Sequence, residues 1–182
     1  MLKMMKKPKE NLITYIFVFM AIVGMKILYT NSSVDQLLFI LNPVSKITGL
    51  VFNKSFEYIQ NLGYYNKELS VLISKECSGV NYFIVMLSML LLFSLNRFKT
   101  KVSKIIFLVF SVVISYAITI VSNVSRIIAS IYVLGLIDIS NTKFYNIAHQ
   151  SIGITVYITY LILVNMAMQY IWGRWGEINE EA

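Results

Sequence analysis

Charge is scarce in this sequence. Only 14% of its 182 residues are Asp, Glu, Lys or Arg, against 57% hydrophobic. A soluble domain usually carries about 25% charged residues, so an ordinary soluble surface is excluded. There is one cysteine, which rules out an intrachain disulfide and leaves the thiol free, reactive or simply packed. No zinc-ligand spacing, phosphate loop or dinucleotide fingerprint occurs, so neither a metal nor a cofactor is expected. Internal repeats and low-complexity tracts are lacking too. The apolar segments do not alternate in polarity, which argues against a barrel built from strands of about 10 residues. The basic N-terminus leads into an apolar run, as in a signal peptide. Its exit, Lys26-Ile-Leu-Tyr-Thr-Asn-Ser-Ser33, has no small-x-small cleavage pattern, so a retained anchor is expected.

What the sequence does have is long apolar blocks. Leu12 to Tyr29, Val80 to Leu95, Ile105 to Ile137 and Ile152 to Trp172 contain only two charged residues, Lys26 and Arg126. About 20 apolar residues cross a bilayer as a helix, and helices satisfy their own backbone groups in lipid. The fold class expected is an all-α polytopic integral membrane protein, a single membrane-embedded domain over residues 1–182. It has about four full transmembrane helices, with short interfacial or re-entrant helices and a small hairpin in the outer loop. The net charge of +7 does not point to nucleic acid. Lys3, Lys6, Lys7 and Lys9 precede the first block, and Arg97, Lys99, Lys101 and Lys104 separate the second from the third. Positive charge flanking spans marks the cytoplasmic side.

With the N-terminus inside, residues 1–10 form a cytoplasmic basic tail and the first span runs outward. Lys26 snorkels near its outer end. Residues 30–76 form an outer loop region whose four lysines and four acids give no positive bias. In it, Leu37 to Leu41 is stopped by Asn42-Pro43, and Ile47 to Phe52 is a second short run; neither can span. Residues around Asn61-Leu-Gly63 and Tyr64-Tyr-Asn66 suggest a hairpin leading toward Cys77. The second span, about Ser78 to Leu95, returns inward. The third starts at Ile105, and its 21 residues to Ser125 cover about 31 Å at helical rise, bringing Arg126 to the outer interface. Ile127 to Ile137 extends this helix, lies in the interface or re-enters. The loop Asp138 to Ala148 stays outside. The last span, about Ile152 to Trp172, runs inward to an aromatic belt of Tyr170, Trp172 and Trp175, and residues 173–182 form a cytoplasmic tail.

This layout places Cys77, Arg126 and His149 at similar depth on the outer face. Each has a plain reading: a packed thiol, a helix-end polar cap, a structurally paired arginine. An arginine within a 33-residue apolar block is the strongest signal, because intramembrane charge is expensive and usually functional. Together the three supply a nucleophile, a base and an electrophilic stabiliser, as an acyl-transfer site requires. The thiolate is the attacking species; a helix N-terminus and a neighbouring cation both favour it. His149 takes the thiol proton and returns it to the leaving amine. Arg126, which does not titrate in a useful range, stabilises the oxyanion or holds a substrate carbonyl.

Glu76-Cys77-Ser78-Gly79-Val80-Asn81 resembles the Cys-Ser-Gly signature of the exosortase/archaeosortase family. Asn123-Val124-Ser125-Arg126-Ile127 resembles its second motif, and His149-Gln150-Ser151-Ile152-Gly153 its third. Asn42-Pro43 with Gly49 is similar to a stretch before the family's Cys region. The likeness covers about Leu38 to Leu161, and the short chain is similar to a compact member such as exosortase K. The resemblance implies a cysteine peptidase-type transpeptidase with Cys77 as nucleophile, Arg126 as transition-state or substrate-binding arginine, and His149 as base. Its partners would be exported proteins with a C-terminal motif, transmembrane helix and basic cluster. A surface acceptor, a lipid or glycan amine, would receive the cut chain, with membrane lipids around. By analogy the site faces outward from a prokaryotic-type plasma or inner membrane.

Supporting roles are open. Ser78 and Gly79 let the substrate backbone approach the thiol, or cap a helix. Asn123 bonds Arg126 or a substrate carbonyl, or stabilises helix packing. Glu76 pairs with Arg126 or stays in solvent. Two other functions compete: a cysteine hydrolase releasing the product to water, and a non-catalytic membrane scaffold or transport subunit.

Overall fold

The computed structural model describes residues 8–94, 100–135 and 142–180. Lys3, Lys6, Lys7, Arg97, Lys99, Glu181 and the part of the outer loop at 136–141 lie outside the described residues. Five helices carry the fold: α1 (Pro8–Asn31), α2 (Leu38–Phe52), α3 (Val80–Ser94), α4 (Lys101–Leu134) and α5 (Thr142–Glu180). Between α2 and α3 lie three short strands, β1 (Glu57–Ile59), β2 (Gly63–Asn66) and β3 (Val71–Ile73), and a single 3-10 turn, Lys75–Cys77. Three helical segments are long and apolar enough to cross a membrane: Lys75–Leu92, Val102–Leu134 and Ile147–Arg174. Phe17, Phe19 and Met20 on α1, Ile105, Ile106 and Val109 on α4, and Ile154 and Met166 on α5 are all exposed. Apolar area on this scale marks a surface built for a non-aqueous neighbour.

α4 is the centre of the bundle and packs against α2, α3 and α5, while α1 leans on α3. Its spacing explains this. Ile120, Val124 and Ile127 form one stripe and meet Leu37, Ile40, Leu41 and Val44 of the α2 region, with Ile73 of β3. A second stripe, Ser111, Ser115, Thr119 and Asn123, recurs every four residues and is fully buried. Small side chains at this period let helices approach closely where lipid supplies no hydrophobic drive. Thr119 turns its hydroxyl back to the Ser115 carbonyl at 2.7 Å. Val18 of α1 with Leu87 and Leu91 of α3 forms a separate smaller core.

The outer loop region differs from expectation in two ways. Asn42-Pro43 does not stop a helix: α2 runs unbroken from Leu38 to Phe52 with Pro43 inside it. Proline has no N–H for the carbonyl four residues earlier, which is Phe39. The Tyr116 hydroxyl of α4 donates to that carbonyl at 2.6 Å, so the missing helix bond is replaced from outside. The hairpin is one half of a three-stranded antiparallel meander, order β1-β2-β3. β2 pairs Tyr64 with Tyr58 and with Ile73. Asn61 and Ser70 take left-handed backbone in the two turns. The sheet is therefore a small exception to an all-α chain. The Tyr58 hydroxyl bonds the Asp35 carboxylate before α2, and that bond raises the phenol above its usual range.

Candidate active site

The turn that carries Cys77 is fastened from α1. The Tyr29 hydroxyl donates to the Lys75 carbonyl at 3.2 Å. Lys75 Nζ in turn reaches the carbonyls of Thr30 and Ser32 at 3.0 and 2.7 Å. Lys26 also has a structural partner, Asn81 Oδ1 at 2.6 Å. Cys77 thus lies on the turn before α3, and α3 itself begins at Val80; the thiol precedes the helix and does not open it. Gly79 takes φ +74°, and its carbonyl accepts the first bond of α3 from Phe83 N at 2.9 Å. A Cβ there would lie 3.2 Å from Thr119 Cγ2 and 3.4 Å from Asn123. Ser78 is fully buried, and its hydroxyl lies 3.4 Å from Val80 N. Both residues are buried, and Gly79 packs against Thr119 and Asn123 of α4.

Arg126 sits within α4, which continues without a break through Leu134; Ile127 to Leu134 therefore extends the helix. His149 is likewise inside a helix, α5, which starts at Thr142 and not after the histidine. α4 and α5 pack side by side, so the C-terminal part of one faces the N-terminal part of the other. Their meeting brings the three side chains together. Arg126 Nη2 is 3.9 Å from Cys77 Sγ and 3.5 Å from His149 Nε2. A guanidinium has no acceptor, so a bond to Nε2 leaves the lone pair there and the ring proton on Nδ1. The same nitrogen thus contacts both the thiol and the imidazole. The thiol also points toward the Leu72 carbonyl of β3, 4.0 Å away.

A tyrosine that sequence reasoning overlooked completes the arrangement. Tyr157 of α5 accepts from Arg126 Nη1 at 3.1 Å and donates to Asn123 Oδ1 at 3.0 Å. Asn123 Nδ2 donates to the Cys77 carbonyl. The chain Arg126–Tyr157–Asn123–Cys77 closes a loop around the site, and the arginine lies 5.6 Å from the Tyr157 ring. Tyr82 of α3 stacks on that ring at 4.4 Å and 14°. Asn123 therefore serves the site through Tyr157 and the Cys77 backbone, without touching Arg126. Glu76 accepts from the Ser74 hydroxyl at 2.6 Å, so Arg126 does not draw on it. Tyr157 stands eight residues after His149, on the same helical face, which is the signal that marks it. Gly153 belongs to that face too. A Cβ on it would lie 3.1 Å from Arg126 Nε and 3.4 Å from Cδ, so the glycine makes room for the arginine.

A cleft of about 340 Å³ opens at this point, lined by β3, the last turns of α4, Cys77 and His149. Among the described residues no cluster of His, Cys, Asp or Glu is gathered that would hold a metal ion. Comparison of the chain with protein-family models, curated proteins and solved structures finds no match.

Proposed function

We propose that this chain is a membrane-embedded cysteine transpeptidase of the exosortase/archaeosortase kind. It cleaves a C-terminal sorting signal of exported proteins and transfers the chain to a surface amine. In this reading α1, α3, α4 and α5 are four crossings, both termini are cytoplasmic, and the site faces outward from a plasma or inner membrane. α4 and α5, at about 1.5 Å per residue, are longer than the roughly 30 Å hydrocarbon, so their site-bearing ends reach the outer interface. The observation that carries the reading is Arg126 Nη2 against both Cys77 Sγ and His149 Nε2.

The chemistry follows from these contacts. The Cys77 thiolate attacks the scissile carbonyl and a C–S bond forms. Charge moves to the carbonyl oxygen, where the fixed guanidinium stabilises it. His149, once its Nε2 has exchanged the Arg126 bond for the thiol proton, gives that proton to the leaving amine as the C–N bond breaks. The acceptor amine then attacks the thioester, loses its proton to His149 and expels the thiolate.

The test is the rate of Cys77 alkylation by iodoacetamide in nanodiscs; it is the only thiol in the chain. Arg126→Ala and His149→Ala are each expected to slow it at pH 7 by about tenfold, since both favour the thiolate. A slow thiol indifferent to both changes would return the chain to the scaffold reading. Product mass then separates transfer, which adds the acceptor, from hydrolysis, which leaves a free carboxylate.

A further inference from the structure

Among the buried side-chain polar groups lining the cleft beside Cys77, Ser130 is without a partner. Ser130 lies one helical turn beyond Arg126 on α4, is 6% exposed and lines the cleft. Its hydroxyl has no hydrogen-bond partner. On the same helix Thr119 and Ser125 each bond the carbonyl four residues back, whereas Ser111 and Ser115 are, like Ser130, buried without a partner; of these three only Ser130 lines the cleft beside Cys77. A buried hydroxyl left unmade costs about 1–3 kcal/mol, so a bound group that satisfies it gains that much. Beside Cys77 and His149, the cleft has an apolar wall made by Val71 on β3 and Ile127, Ile131 and Leu134 on α4. β3 is the outer strand of its sheet and pairs only with β2 among the described residues. An edge strand presents free N–H and C=O groups to any extended chain laid beside it.

We propose that this cleft is the acyl-side substrate subsite. It takes an extended peptide laid along β3, with an apolar side chain next to the scissile carbonyl between β3 and α4, and a backbone polar group on the Ser130 hydroxyl. A cleft of about 340 Å³ is at the small end of ligand pockets, which run from about 300 to 1,000 Å³. It admits one or two residues and not a folded domain. The inference rests on the nucleophile reading of Cys77, because the subsite has meaning only beside an attacking thiol.

The experiment compares two reagents on the full chain in nanodiscs. Iodoacetamide reports the thiol alone. N-acetyl-Ala-Leu-chloromethyl ketone and its Asn counterpart, similar in size but polar, report the thiol and the cleft together. The Leu reagent is expected to react about tenfold faster than the Asn reagent. Ile131→Trp, which fills the cleft, and Ser130→Ala, which removes the hydroxyl, are expected to slow the Leu reagent about fivefold to tenfold and leave iodoacetamide unchanged. Equal rates for Leu and Asn, or variants that leave the Leu reagent untouched, overturn the subsite while the nucleophile stands. A thiol inert to iodoacetamide and to both peptides overturns the nucleophile, and the subsite with it.

Discussion

At the scale of single residues, the site depends on how Arg126 is held. A guanidinium carried on a flexible side chain stabilises developing charge only when it is already in place. Tyr157 supplies both an acceptor for Nη1 and a ring beside the cation. Under the proposed transpeptidase reading, Tyr157→Phe is expected to lower kcat about tenfold with KM little changed, because the loss is felt in the transition state. Stability should fall by only about 0.6 kcal/mol, the average for interhelical bonds in membranes. A KM rise at constant kcat would mean that the tyrosine binds substrate and does not position the arginine. Gly153→Ala tests the other side of the same side chain. Alanine favours a helix over glycine by up to about 1 kcal/mol, and the contact of its methyl group with Arg126 offsets that gain, so the melting temperature should change little. Alkylation of Cys77 should still slow, since the new methyl group meets Arg126 Nε. Unchanged reactivity would show that the glycine has no bearing on the guanidinium.

At the scale of elements, α2 is held together by a contact 77 residues away in sequence. Tyr116→Phe removes this exposed bond to the Phe39 carbonyl, and about 0.5–1.5 kcal/mol of stability should be lost. Pro43→Ala restores the helix's own N–H to that carbonyl. In the Pro43→Ala background the same Tyr116→Phe change should cost much less, and a double-mutant cycle on thermal unfolding in detergent measures the difference. Additive effects would separate the tyrosine from the proline. The core stripe of α2 is a simpler case: Leu41 is wholly buried against α4 and β3. Leu41→Ala should destabilise by about 2–5 kcal/mol, read as a fall in melting temperature. The resemblance of Asn42-Pro43 to a family stretch thus falls on a segment whose physical task is to brace the helix that carries Arg126.

At the scale of the whole molecule, the described residues form an apolar helical bundle that carries a polar cluster where α4 and α5 meet the Cys77 turn. The long helices expose apolar side chains outward, while Cys77, Asn123, Arg126, His149 and Tyr157 are joined across the turn before α3, α4 and α5. In intact cells a membrane-impermeant maleimide is expected to label Cys77 from the outer side. Labelling only in inverted vesicles would reverse the orientation drawn from the lysine clusters.

The sequence alone determined the three helices long and apolar enough to cross a membrane, because a run of about 20 residues without charge has few other solutions in lipid; of the expected first span, the described residues hold the shorter apolar stretch Tyr15–Asn31. Counting along the third block also put Arg126 near the level of Cys77 and His149, since rise per residue is constant. It did not show that α2 survives Pro43, that the hairpin is a three-strand meander, or that His149 lies inside α5. Nor did it show Tyr157 against Arg126, or Ser130 unpartnered in the cleft. Each of these turns on a partner distant in the chain: a tyrosine that replaces a lost helix bond, a ring stacked from another helix, an edge strand laid near a thiol. Local pattern reports the polarity and period of a segment, whereas the direction of a side chain across an interface is set by how the helices pack.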